Sequence, residues 1–212
     1  MTSLTKEEII SSLPLFRNLP QNAVKIIAET VREIKLPEKR VFIEQGNNSG
    51  EIFFITKGSV RVYRLTEEGE EVTLAICGPG EILGEMAFLD EQPRSASVET
   101  MQPTDVFVLN RISFKQILLN HPDIALSLLK VLSARLRKTG EQMKDLFSKN
   151  LEERTWKALK TLSGYFPGSG ITLSHEELAE IIGATRARVT EMLDKLQKEG
   201  KIILSHRKIR IK

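Results

Sequence analysis

Beyond Ala125, apolar residues recur at Leu129, Leu132, Leu136, Met143 and Leu146, with Thr139 and Asn150 in the same series. After the first step the spacings alternate three and four, the a/d heptad of a coiled coil held for about three heptads. Arg135, Arg137, Lys138, Glu141 and Lys144 flank the seam and keep it narrow. Such a helix needs a partner for its stripe, and a parallel homodimer through Leu129, Leu132, Leu136, Thr139, Met143 and Leu146 is the simplest answer. Packing of one face against the chain's own upstream domain is the alternative. Thr139 is the odd member: a polar residue in a heptad core either fixes register or faces something polar held against the helix.

Upstream the texture is different. Residues 4–34 read as helical with a break, since Pro14 and Pro20 punctuate them and Ala23, Val24, Ile26, Ile27, Val31 and Ile34 form a stripe. From Lys35 to Leu109, short runs rich in Val, Ile and Phe alternate with turns carrying Gly46, Gly50, Gly58, Gly69, Gly78 and Gly80. Many short strands with Gly turns predict an antiparallel sandwich, barrel or roll. Pro122 sits where the long helix can start.

Downstream, residues 151–166 read as a helix, followed by a Gly/Pro/Ser loop from Gly164 to Gly170. Ser174 to Glu177 matches a capping box and opens a short helix ending near Ile182. Gly183 supplies a turn, Thr185 caps a second helix, and Gly200 ends it. Val189, Met192, Leu193 and Leu196 form its buried stripe, leaving Arg186, Ala187, Arg188, Thr190, Glu191 and Lys195 outside. Two short strands follow, joined at His206 and Arg207. Helix, Gly turn, helix and hairpin make a winged helix-turn-helix, whose second helix suits a major groove. Ser174, Thr185, Arg186, Ala187, Arg188, Thr190, Glu191 and Arg207 are the candidate DNA contacts. Arg186 and Arg188 offer bidentate donors to guanine or phosphate, and the basic hairpin can follow a backbone. Charge agrees: residues 151–212 hold 12 Lys or Arg against 8 Asp or Glu, whereas residues 1–150 hold 19 against 20.

The strand pattern is interrupted by Gly84-Glu85-Met86-Ala87-Phe88-Leu89, closed by Pro93-Arg94-Ser95-Ala96. Gly84 permits close approach of a ligand, Glu85 to Leu89 can form one helical turn, Arg94 and Ser95 are phosphate donors, and Glu85 can accept from a sugar hydroxyl. The set suits a small phosphorylated sugar. The alternative is that Glu85 and Arg94 merely pair with each other.

The lone Cys77 excludes an internal disulfide and an iron–sulfur cluster. His121, His175 and His206 show no metal-ligand spacing. No nucleophile–base pair or paired acids suggest an enzyme, so no cofactor or metal is expected. No apolar run reaches the roughly 18 residues of a membrane span, and the first 12 residues lack the pattern of a signal peptide. No membrane association and a cytoplasmic location are the expectations.

The segment Gly84–Ala96 resembles the phosphate-binding cassette of cyclic-nucleotide-binding domains. With the heptad helix and winged helix behind it, the whole chain is similar to the Crp/Fnr superfamily of bacterial transcription regulators, and within it to the cyclic-AMP receptor group. The fold this implies is α+β: an N-terminal antiparallel β-roll sensor (residues 1–121), a dimerisation helix (122–150) and a winged helix-turn-helix (151–212). The resemblance implies that Glu85 binds the ribose 2′-hydroxyl. Arg94 and Ser95 would hold the cyclic phosphate with help from Gly84 and Met86, and Thr139 would meet the purine. It also implies double-stranded DNA with a pseudo-palindromic site and RNA polymerase as partners, and cAMP as effector. A different effector, or none, is the alternative. Three positions depart from the pattern. Gly140 stands where that group has a serine reaching the partner subunit's nucleotide, Ala187 replaces the usual glutamate, and Glu191 replaces a second arginine.

Overall fold

The computed structural model describes residues 4–168, 170–205 and 208–212. The chain divides into two compact units: residues up to Arg64 with Cys77–Arg137, and Leu65–Ile76 with Lys138–Lys212.

The first unit opens with two short helices, α1 (Lys6–Ser12) and α2 (Gln21–Thr30). Thr5 and Glu8 close a capping box on α1, which satisfies two otherwise orphaned backbone donors. The expected helical stripe stops short of its predicted end. Residues Arg32–Leu36 form a strand, β1, so Ile34 belongs to a sheet. The helical spacing of residues 23–31 runs straight into the alternating Ile34 and Leu36. Pairing decides between the two periods: β1 lies antiparallel to a later strand with Arg32 opposite Val108 and Leu36 opposite Thr104.

The strands continue as β2 (Val41–Ile43), β3 (Ile52–Lys57), β4 (Val60–Leu65), β5 (Glu71–Cys77) and β6 (Ile82–Leu83). The short helix α3 (Glu85–Leu89) interrupts them before β7 (Ser97–Thr100) and β8 (Thr104–Leu109). Two four-stranded sheets result, ordered β1-β8-β3-β6 and β2-β7-β4-β5. Their paired registers are antiparallel. This is the expected roll.

Helix α4 (Arg111–Asn120) is capped by the Asn110 side chain accepting from Ser113 N–H at 2.9 Å. Helix α5 (Pro122–Ser148) follows after a bend of 110°. Pro122 has no N–H to give and fixes φ, so it begins a helix more readily than it continues one. Ile124 and Leu128 of α5 are buried, and Val131 and Leu132 pack partly against the same core. A chain of aromatic contacts runs through that core. Phe16 meets Phe54 at 5.0 Å, Phe54 meets Phe114 at 6.2 Å, and Phe114 meets Phe88 at 5.0 Å between ring centroids. Phe88 thus anchors α3 into the apolar interior.

Besides most of β5 and the end of α5, the second unit holds α6 (Leu151–Ser163), α7 (His175–Ile182), α8 (Arg186–Lys198) and a hairpin of β9 (Ile202–Ser205) and β10 (Lys208–Ile211). An isolated bridge pairs Ile171 with Ile209 beside the hairpin. The core is built from Leu159, Leu162, Leu178, Val189, Leu193 and Leu196. Asn150 caps α6 and Ser174 caps α7, each with a full capping box. At the start of α6, Asp145 accepts from Lys149 at 2.9 Å and from Lys157, which hold its carboxyl below the usual carboxylate range, Lys157 most strongly. Among the described residues no single helix is long and apolar enough to cross a membrane, and no group of three metal-ligating side chains occurs.

Candidate functional site

The residues singled out from the cassette come together within the first unit. Gly84 is left-handed, at φ 80°, and caps α3. Any side chain there would be strained, because a Cβ would fall 2.3 Å from Arg94 Nη1 and 2.9 Å from the Glu51 carbonyl oxygen. Gly84→Ala is therefore expected to displace the Arg94 guanidinium. We expect a cost of about 1–3 kcal/mol in thermal unfolding, with backbone strain and a lost polar contact both contributing.

Arg94 is only 4% exposed. Its backbone is fixed first: Arg94 N–H donates to Asn47 O at 3.0 Å, and Gly46 N–H donates to Arg94 O at 2.9 Å. Its guanidinium then donates to Gly84 O at 2.9 Å, Glu51 O at 2.6 Å and Ser49 Oγ at 3.1 Å. All three are uncharged oxygens. Burial pulls the guanidinium below the ordinary arginine range, opposed by the nearby Glu51 and Glu85 carboxylates. An arginine nevertheless stays charged at physiological pH. The site therefore holds a buried cation fixed by dipoles, with no ion pair among the described residues.

Glu85 is equally buried, at 4% exposure. It does not pair with Arg94. Its carboxylate accepts from Arg135 of α5 at 2.5 Å, and Arg135 also donates to the Ile82 carbonyl. Met86 and Ser95 are exposed and adjacent, with Ser95 Oγ 3.6 Å from Met86 Sδ. Thr139 and Gly140 are both exposed and lie on the stretch of α5 that belongs to the second unit. Of the proposed dimer seam, Leu129, Leu136 and Met143 are more than half exposed, and Leu132 is half-buried. Leu146 lies near the helix-turn-helix, its Cδ2 3.9 Å from where a Cβ on Gly183 would sit.

In the second unit, Gly183 adopts a left-handed conformation at φ 69° and ends α7, its N–H reaching Ala179 O. That turn separates α7 from α8. Thr185 caps α8 by accepting from Arg188 N–H at 3.4 Å. Val189, Leu193 and Leu196 face inward, which leaves Arg186, Ala187, Arg188 and Glu191 exposed. Lys195, also outside the buried stripe, reaches back to Glu152 of α6, and Lys201 joins the same carboxylate at 3.6 Å. The hydrogen bond from Lys195 draws Glu152 below the usual carboxylate range. Ser174 spends its hydroxyl on capping, accepting from Glu177 N–H at 3.1 Å. Thr190 is half-buried and bonded inside the unit. Arg207 and His206 lie outside the described residues.

These two constellations match family descriptions in the same order. Residues 33–121 match the cyclic nucleotide-binding domain, and residues 153–212 match the Crp-like helix-turn-helix domain. The cyclic AMP receptor protein of Thermus thermophilus is 31% identical over 90% of this chain and 88% of its own length. The chain belongs to the Crp family of transcription regulators. A CRP-like cAMP-activated global transcriptional regulator of Mycobacterium tuberculosis is 26% identical over 97% of this chain and 95% of its own. In fold, the c-di-GMP responsive global regulator CLP of Xanthomonas campestris superposes with a TM-score of 0.77 at 20% identity, over 91% of this chain and 99% of that one.

The Gly84–Ala96 cassette is completed by residues that the sequence motif does not mark. Ser49 and the Glu51 carbonyl come from a loop more than 40 positions before Arg94. Arg135 did leave a signal. It extends the inward series Ile124, Leu128, Val131 by one more step of four, and a cation on a helix face that covers a domain needs an acid there.

Proposed function

We propose that this Crp-family regulator is a homodimer whose affinity for DNA is raised by a cyclic nucleotide, with cAMP the first candidate. The observation that carries the reading is Arg94: a buried guanidinium, oriented by backbone and side-chain oxygens, beside exposed Ser95 and buried Glu85. A buried charge is costly unless paired. A cyclic phosphodiester brings one negative charge and acceptor oxygens in a shape that Arg94 and Ser95 can serve together. Glu85 is an acceptor for a ribose hydroxyl, with Arg135 holding its carboxylate in place. Thr139 as a purine contact follows from the family resemblance alone.

The exposed apolar stripe of Leu129, Leu136 and Met143 supports pairing of two α5 helices. A two-fold dimer presents two copies of α8, which fit half-sites one helical turn apart, about 34 Å. Arg186 and Arg188 are the direct readers in this scheme. Ala187 and Glu191, in place of the family's glutamate and arginine, give the regulator its own half-site. The ligand acts only through a difference in affinity between two states of the protein. RNA polymerase is the expected downstream partner, and the cytoplasm the expected location.

Selection of binders from a pool of random duplexes, run with and without cAMP, tests this directly. We expect a pseudo-palindrome with half-sites about 10 base pairs apart, centre to centre, enriched only with cAMP. Equal enrichment in both arms contradicts effector control, and an unpaired half-site contradicts the dimer.

A further inference from the structure

Met86 stands in the first turn of α3, and Ser95 follows the buried Arg94. Their side chains meet, with Ser95 Oγ 3.6 Å from Met86 Sδ. A thioether carries no proton, so the hydroxyl donates and the sulfur accepts. Sulfur is a weak acceptor, whereas a charged phosphate oxygen is a strong one. Ser95 is thus held loosely and can turn to a ligand. The contact also makes the oxidation state of the sulfur matter. Met86 is 49% exposed, so a small oxidant in solvent reaches it. Met101 is buried and Met192 half-buried, and the exposed Met143 lies on the stretch of α5 that belongs to the second unit.

We propose that Met86 is an oxidation site through which peroxides lower the affinity of the nucleotide pocket. The inference rests on the cyclic-nucleotide reading of that pocket. The sulfur lone pair attacks one oxygen of hydrogen peroxide, the O–O bond breaks, and that oxygen stays on sulfur. The other oxygen leaves as hydroxide and takes up a proton to become water. Sulfur is oxidised by two electrons and the peroxide is reduced by two. Oxidation turns an apolar side chain into a polar one. The new oxygen carries partial negative charge and projects from a sulfur already in contact with Ser95, so it captures that hydroxyl more firmly than the thioether does. Ser95 is then withdrawn from the phosphate, and negative charge stands beside the place the phosphate would take. Both effects weaken binding of a cyclic phosphodiester. Methionine sulfoxide reductases restore the thioether, one enzyme for each epimer at sulfur, so the change is reversible.

The test is calorimetric titration of the full chain with cAMP and with cGMP before peroxide, after peroxide, and after repair by both reductases. Peptide mass spectrometry follows oxidation at each methionine and at the buried Cys77. A hydrogen bond to a charged group is worth roughly ten- to 150-fold in affinity. The sulfoxide competes for that bond, so the oxidised protein is expected to bind about five- to thirtyfold more weakly and to recover on repair. Each variant is compared with itself before and after treatment. Met86→Leu should keep its own starting affinity. Ser95→Ala has no hydroxyl to capture and should lose less than about threefold. A loss in either variant equal to that of the unaltered protein overturns the proposal. So does undiminished affinity in protein whose Met86 is oxidised, or resistance of Met86 to peroxide. Failure of the untreated protein to bind either nucleotide contradicts instead the cyclic-nucleotide reading on which the proposal stands.

Discussion

Arg94→Leu is expected to weaken cyclic-nucleotide binding by about thirtyfold to several thousandfold. Truncating one partner of a buried, hydrogen-bonded charge pair costs about 2–5 kcal/mol, and each 1.4 kcal/mol is about tenfold in affinity. Arg94 is 4% exposed and its guanidinium is held by three oxygens, so its charge is fixed in place by the fold. The same substitution leaves the Gly84 and Glu51 carbonyls without their donor. That adds a stability cost of about 1–3 kcal/mol, visible as a lower midpoint in thermal unfolding without ligand. The two effects separate cleanly, because cAMP should raise the midpoint of the unaltered protein and leave that of Arg94→Leu where it is.

Arg135→Leu should destabilise the ligand-free protein by about 2–3 kcal/mol. Stripping the partner from a fully buried carboxylate costs about 3–5 kcal/mol. The value here is smaller because the Arg135 side chain is 31% exposed, whereas that of Glu85 is 5% exposed. The check is a double-mutant cycle. Glu85→Gln combined with Arg135→Leu should recover most of the loss, since it removes the charge that Arg135 was compensating. Additive losses would mean that Arg135 stabilises α5 through its hydrophobic stem and its bond to Ile82 O.

Much of this architecture was legible locally. The capping box at Ser174 and Glu177, the Thr185 cap, the Gly183 turn and the buried Val189, Leu193 and Leu196 all appear where short-range chemistry places them. So does the single turn α3 after Gly84. Residues 31–34 misled, because a helical stripe and a strand alternation overlap there and only the pairing with Val106 and Val108 resolves them. The pairings of the site residues, as distinct from the inward position of Arg135, were hidden for a different reason. Glu85 meets Arg135 across 50 positions and Arg94 meets Ser49 across 45, so each contact exists only once the roll has closed and α5 has folded against it. The alternative in which Glu85 and Arg94 pair with each other fails on the same ground: a cation on α5 reaches Glu85, and carbonyls reach Arg94. Thr190 read as an outward-facing residue of α8, but His175, 15 positions earlier, engages its hydroxyl.

Calorimetric titration of the purified protein with cAMP and, separately, with cGMP, using Arg94→Leu as control, tests the central claim most directly. The account predicts saturable binding of one cyclic nucleotide that disappears in the variant, with the preferred base reporting what Gly140 contributes to selectivity. Failure of both nucleotides to bind the unaltered protein, or equal binding by the variant, would contradict it and leave a Crp-family DNA-binding regulator controlled by other means.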